Sequence, residues 1–457
     1  MKPKPVLRIA VLAILAACAG RGVPTPPPAA TPSAIPAPEE IATALALETF
    51  DTAWTRIARS HYDSTFGGLD WNAVRQELRP RAARATSYGE LRGVLTDMLR
   101  RIGDSHYGLI PRAVADAVQT GGGGGAGDIG AELRIADGQV VVWRVDPGGP
   151  SAARGIRPGW IVDAIGDRRP AQELAALRDL EGTPEARIAH TQFLRSINVA
   201  LDGRPGESVH LVVRDAQDRT TSVDLVRRTR PGTPVQFGNL PPFVAELAHH
   251  RIELQSRCVG VIRFNIWMVI PLSAAFDRAI DTMRDCAGIV IDIRGNPGGV
   301  AGMVIGVAGH FYETEQTLGE LTMRTGELRL YANPRRVDTQ GAAVAPFGGP
   351  IAVLTDALSV STSEIFAAAI KVTGRGRLFG ETTAGQALPA TAVRLPSGDV
   401  LMHVVADLTA PDGSRIEGNG VTPDRVVPLR RNDLLGGRDA PLDAAVRWIL
   451  DGSGGGR

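Results

Sequence analysis

Apolar residues follow three successive rhythms along the 457-residue chain. From Ile41 to about Met98 they recur at helical spacing (Leu45, Phe50, Trp54, Ile57, then Val74, Leu78, Leu91, Leu95), which predicts a small helical region broken at the turn-forming stretch YDSTFGGLDW. Between Asp128 and about Arg230 the rhythm shortens to alternation with turn residues between, in IGAELRIADG, QVVVWRVDPGGPSAARGIRPGWIVDAIGD and VHLVVRDAQDRTTSVDLVRR. That predicts a compact, mostly β module. After Pro231 continuous apolar strands alternate with helical stretches: CVGVIRFNIW, a helix around Leu272 to Arg284, GIVIDIRGNPGG, a helix from Val300, IAVLTD, a helix after Ser361, and RLFGET. Such alternation predicts a mostly parallel sheet covered on both faces, with its sites at the carboxyl ends of strands.

The segments outside these rhythms set the boundaries. GGGGGAG at 121 to 127 reads as a flexible joint or exposed loop tip, separating a helical region at 39–120 from a β module at 127–230 and an α/β domain at 231–451. Residues 19–38 are proline-rich, cannot build a core, and would extend as a tether of roughly 50–60 Å. Ahead of them, residues 1–18 combine a basic start with an apolar run from Ile9 to Ala17 too short to span a bilayer, the pattern of an export signal. Leu15-Ala16-Ala17-Cys18 resembles the lipobox of bacterial lipoproteins, which implies lipidation of Cys18, a membrane anchor and a periplasmic or cell-surface location. An exported compartment permits a disulfide between the remaining Cys258 and Cys286, although two buried thiols fit the sequence as well.

Charge narrows the partners only by exclusion. Charged residues make up 22% of the chain and cancel to +1, so no basic field is present to hold nucleic acid. No His/Cys/Asp/Glu cluster has ligand spacing and HExxH is absent, so neither metal nor cofactor is implied. The basic residues are almost all arginine; beyond Lys2 and Lys4 the chain holds only Lys371.

Four short segments carry candidate chemistry. In SVSTSEIFAAAIK (359–371), Ser361 to Glu364 reads as a capping box for the helix that follows, yet a serine at a strand-to-helix junction also has the next amide and a helix dipole available to an oxyanion. VIDIRGNPGG (290–299) is an apolar strand ending at Asp292 and Arg294, then a turn whose glycines let backbone N–H groups face an anion. IGDSHYGLI (102–110) places Ser105 before His106 in apolar surroundings, and histidine is the usual base for a hydroxyl nucleophile. PDGSRIEGNGVTPD (411–424) puts Glu417 in a glycine-rich loop.

Taken together and in this order, these segments resemble the tail-specific or C-terminal processing peptidase family, specifically its tricorn-like branch, over residues 40 to 430. The resemblance implies a crotonase-like α/β catalytic domain, with Ser361 as nucleophile and Gly298 or Gly299 joining Thr362 in the oxyanion hole. The processing branch uses a lysine in T-x-G-K, but this chain has TTAGQ, so Gln386 stands there and an amide cannot accept the proton. Lys371 is ten residues along the same helix from Ser361, about 15 Å away, beyond reach. The tricorn-like branch implies His106 as base, Ser105 as relay and Glu417 as the acid behind it; Glu381 and Asp104 are rival acids. PGGPSAARGIRPGWIVDAIGDR resembles bacterial PDZ domains, which implies that Ile129-Gly130-Ala131 holds a peptide carboxylate while the peptide pairs as an added strand. The expectation is an exported serine endopeptidase acting on partly unfolded or C-terminally recognised proteins. The competing readings are a non-catalytic peptide-binding lipoprotein and an esterase or amidase, the latter disfavoured by the absence of G-x-S-x-G.

Overall fold

Local capping starts the helices where the periodicity places them. In the computed structural model, which describes residues 39–119, 127–180, 183–240, 242–254 and 256–452, helices span Thr43–Ser60, Trp71–Ala83 and Tyr88–Arg100. Asp70 caps the second by accepting from Ala73 N–H at 2.9 Å, and Ser87 caps the third by accepting from Glu90 N–H at 3.2 Å. Between the first two, the Asp63 carboxylate takes the Thr65 and Gly67 amides at 2.8 and 2.7 Å and turns the chain. Phe50, Ile57, Leu78, Leu91, Leu95 and Met98 bury the apolar stripes. The region is not wholly helical, however. Gly108–Ile110 pairs antiparallel with Val400–Met402, and Leu395 and Leu401 enter the same core, so a partner some 290 positions away decides the conformation of this stretch. The signal, Cys18, the tether and most of the glycine joint lie outside the described residues.

The β module is a five-stranded antiparallel sheet in the order Ala131–Ala136, Gln139–Val145, Ile161–Ile165, Ser208–Arg214, Thr220–Val226. The sequence pattern misses its 16-residue helix, Pro184–Val199. Phe193, Leu194 and Ile197 of this helix pack on the sheet, while Thr191 is fully buried elsewhere, donating to the Ala357 carbonyl at 3.1 Å. A helix covered on two sides has no clean amphipathic stripe, which is why the periodicity is weak. Leu358, three residues before Ser361, is part of the module's own apolar core.

The third region matches its expected alternation. Six strands lie in the order Leu247–Leu254, Arg257–Phe264, Gly288–Asp292, Ile351–Thr355, Arg377–Gly380, Arg425–Val426, parallel throughout except at the first, antiparallel edge. Helices Ala274–Asp281, Gly302–Gly309 and Thr362–Val372 cover one face, and Ala440–Gly452 covers the other through Ala444, Ala445, Val446 and Ile449. Gly288 leaves room for that last helix, since a Cβ there would sit 2.5 Å from Ile449 Cγ2. Cys258 and Cys286 are joined in a disulfide, resolving the two options left open by the sequence.

Candidate active site

The two central strands end at Asp292 and Thr355, and the turns that follow converge on one residue, Ser361. Its backbone stands at φ 56°, ψ −117°, a conformation that L-residues adopt only under constraint. Glu364, three residues on and fully buried, supplies the constraint. Its carboxylate accepts from the Ser361 amide at 3.0 Å, from the Gly385 and Gln386 amides at 2.7 and 2.9 Å, and from Thr383 Oγ1 at 2.6 Å. Burial raises this carboxyl to about 7 against the pull of those four donors. The expected capping box is present, and its glutamate clamps the serine backbone to the 383–386 loop.

The candidate oxyanion donors are set from the other turn. A Cβ on Gly298 would lie 2.7 Å from Ser361 Cβ, so glycine alone permits this approach. The Gly298 amide itself donates to Asn296 Oδ1 at 3.0 Å, which removes it from the expected oxyanion set. The Asn296 side chain also donates to the Phe264 carbonyl at 2.9 Å, so its oxygen is held toward Gly298. Among the described residues the amides of Gly299 and Thr362 have no hydrogen-bond acceptor. Thr362 Oγ1 donates to the Gly299 carbonyl at 2.9 Å and ties these two donors together. Trp267 braces the turn by donating N–H to the Gly298 carbonyl at 2.9 Å, accepting from Val300 N–H at 2.7 Å, and sending its indole N–H to Ser363 Oγ at 2.9 Å. Asn296 and Trp267 carried no sequence signal, because their roles rest on a neighbouring turn.

A second chain of contacts surrounds the candidate base. Ser105 Oγ donates to Glu417 Oε2 at 3.0 Å and lies 2.8 Å from His106 Nδ1, while the Ser105 amide donates to Glu417 Oε1 at 3.0 Å. With its one proton given to the carboxylate, the hydroxyl accepts from Nδ1–H. That tautomer leaves the His106 Nε2 lone pair free. Burial, and then the positive charge of Arg195, hold the imidazole down to about 4, so it is neutral across the physiological range. Burial also raises Glu417 above the usual carboxylate range. The residues expected as base, relay and acid are thus brought together, and the rivals are elsewhere. Glu381 accepts from the Leu429 amide at 3.3 Å, and Asp104 faces buried His61, Oδ2 to Nε2 3.3 Å. Lys371 donates to the Thr422 carbonyl at 2.7 Å.

Consecutive residues join the two halves. The Gln386 carbonyl accepts from Ser361 N–H at 2.9 Å, and the next amide, Ala387, donates to Glu417 Oε2 at 2.8 Å. No hydrogen bond links the Ser361 hydroxyl to His106 among the described residues, as is common before a substrate tightens such a site. The β module also borders this site. Along helix Pro184–Val199, Arg187, Thr191 and Arg195 are spaced by four residues; a Cβ on Gly420 would meet Arg187 Nη1 at 2.8 Å, Thr191 holds the Ala357 carbonyl, and Arg195 acts on His106.

Residues 258–427 match the model of peptidase family S41, and residues 46–100 match the tricorn protease C1 domain. The chain is 27% identical over 391 residues to a chloroplastic C-terminal processing peptidase of Tetradesmus obliquus, covering 82% of this chain and 76% of that one. It is 26% identical over 386 residues to a carboxyl-terminal-processing protease of Picosynechococcus sp., covering 82% of both chains. Tricorn protease homolog 1 of Streptomyces coelicolor is 25% identical over 424 residues, 86% of this chain and 34% of that one. Among solved structures, the photosystem II D1 C-terminal processing protease superposes with a TM-score of 0.58 at 22% identity, covering 88% of this chain and 97% of that one. Mature CPAF gives 0.60 at 14% identity, covering 90% and 99%. At these identities the superpositions speak for the fold.

Proposed function

We propose that this chain, a serine-type peptidase carrying a family S41 domain, is an exported, lipid-anchored endopeptidase that cuts extended protein segments with Ser361, His106, Ser105 and Glu417. The observation that carries the reading is the Glu417–Ser105–His106 chain, because its hydrogen-bond directions leave Nε2 as the acceptor for a serine proton. Ser361 Oγ attacks the scissile carbonyl while Nε2 takes its proton. Ser105 and Glu417 hold the resulting imidazolium by its Nδ1–H, as the third member of a Ser-His-acid triad does. Charge on the tetrahedral oxygen falls to the Gly299 and Thr362 amides, a type of contact worth about 10²–10³ in rate per donor. Nε2 then returns the proton to the leaving amine, and water repeats the sequence to release the acyl group.

The sheet covered by helices on both faces supports the crotonase-like reading, and the strand order and short helices of the module support the PDZ-like one. Export is supported by the Cys258–Cys286 disulfide together with the leader pattern of residues 1–18. Among the described residues no helix is long and apolar enough to cross a membrane. Mass spectrometry of the N-terminal peptide checks the anchor: acyl chains on Cys18 are expected, and an unmodified cysteine refutes that part.

The catalytic reading is tested with a fluorophosphonate probe and a peptide library. Ser361 is expected to take the label, and Ser361→Ala to lower cleavage by about 10⁴–10⁶. Equal turnover of peptide substrates by Ser361→Ala and the unaltered chain would end the proposal.

A further inference from the structure

We propose that the outer edge of strand Ala131–Ala136 seats an extended peptide segment, that Asn198 latches this edge shut, and that a free C-terminal carboxylate is not what the edge selects. The inference rests on the peptidase reading and defines the substrate segment it recognises.

The strand is the first of its sheet, paired on one side only, with Gln139–Val145. Alternate residues of such an edge present N–H and C=O outward, here Ala131, Leu133 and Ile135. At the middle one Asn198 reaches both groups, and the carbonyl also accepts from Arg134 Nη1 at 2.9 Å, so among the described residues Asn198 is the sole side chain on the Leu133 amide. Asn198 Oδ1 accepts from Leu133 N–H at 2.9 Å, and Asn198 Nδ2 donates to the Leu133 carbonyl at 3.1 Å. One amide thus reproduces the paired exchange that a residue of an incoming antiparallel strand would make. Among the described residues no hydrogen bond from a side chain reaches the Ala131 or Ile135 backbone, so the plug is local. Asn198 is in the last turn of helix Pro184–Val199, also donating to the Leu194 carbonyl at 2.7 Å. An edge strand sealed by a removable amide is suited to exchange with a second amide, that of a peptide backbone.

The turn at the start of the strand argues against a terminal carboxylate as ligand. The Gly130 amide, the expected anion donor, already donates to Asp128 Oδ1 at 3.0 Å. Arg228, the cation beside it, is shared between Asp128 and Asp146, at 3.0 and 2.6 Å. A peptide carboxylate arriving here would meet two carboxylates and a guanidinium already satisfied by them. An internal segment brings no such charge.

The test uses the full chain carrying Ser361→Ala, so that bound peptide is not consumed, and a fluorescent ten-residue peptide of alternating valine and threonine, as free acid and as C-terminal amide. Anisotropy is expected to give affinities for the two forms within about twofold. Adding Asn198→Ala is expected to tighten both by about tenfold, the released latch being two neutral hydrogen bonds. A tenfold preference for the acid form, unchanged affinity in Asn198→Ala, or no binding to either chain overturns the proposal. Should Asn198→Ala fail to fold, Asn198→Leu removes the same bonds at similar volume and is read in the same way. Failure of the catalytic reading would appear separately, as absent labelling of Ser361 in the unaltered chain.

Discussion

Ser361 and His106 both hold positive φ, 56° and 61°; Glu364 grips the Ser361 amide itself, and Glu417 grips the amide and hydroxyl of Ser105, the residue before His106. Strain of this kind costs on the order of 1–3 kcal/mol per residue and persists only where surrounding bonds over-determine it. Glu364→Gln would present an NH₂ group to two of four inward-pointing donors. It is expected to cost about 2–3 kcal/mol at pH 8, where the carboxylate is ionised, and to lower kcat; urea unfolding and steady-state rates check this. With His106 as the proposed base, its titration would set the acid side of the activity profile. Since the free base is required and the imidazole is held to about 4, kcat/KM is expected to fall as pH drops through about 4, well below ordinary histidine titration. Arg195→Met removes a cation that opposes the imidazolium. The acid limb should then move upward in pH, and a limb that stays in place would show that Arg195 does not act on the base.

At the scale of elements, the disulfide and the helix Pro184–Val199 show what each level of description could supply. Cys258 lies at the start of the second strand of the sheet and Cys286 closes the helical connection leading to the third, so the bridge spans 28 positions of one strand–helix–strand unit. For a loop of that length the chain-entropy model gives about 3–4 kcal/mol, and Cys258→Ser with Cys286→Ser is expected to lower the unfolding free energy by that amount. Strand positions were legible because they carry continuous apolar runs buried on both faces, as in IVID and IAVLT. The module helix was not, because half its covered face meets the catalytic region through Thr191 and arginines rather than through aliphatic side chains.

Across the whole molecule, the module and the catalytic sheet share a buried junction. The Trp143 ring is flanked by the guanidinium groups of Arg134, Arg263 and Arg294 at 4.3, 5.0 and 4.9 Å. Arg134 pairs with Asp356 at 2.7 Å, and Asp356 in turn accepts the Gly295 and Leu358 amides, both at 2.9 Å, one in each active-site turn. Arg134→Ala leaves that carboxylate buried without its partner. A loss of about 3–5 kcal/mol in stability and a drop in kcat are expected, measured by denaturation and by turnover of the folded fraction. If kcat per folded molecule is unchanged, the junction is a support with no hold on the turns. Arg294 completes the frame, bonded to Asp292 at 2.7 and 2.9 Å and to Asp439 at 2.8 Å ahead of the helix that covers the second face.

The order of elements, the disposition of apolar strands and the residue types of nucleophile, base and acid are properties of the sequence, because periodicity and side-chain chemistry act over a few neighbouring positions. The capping-box pattern already held both roles of 361–364. Which amides remain free for an oxyanion was decided by tertiary structure, since Asn296 takes the Gly298 donor and leaves Gly299 and Thr362. So was which carboxylate meets Ser105, Glu417 and not Glu381, through a contact 312 positions apart in the chain. Hydrogen bonds are directional over about 3 Å, and no pattern along a chain records which distant groups will meet at that range.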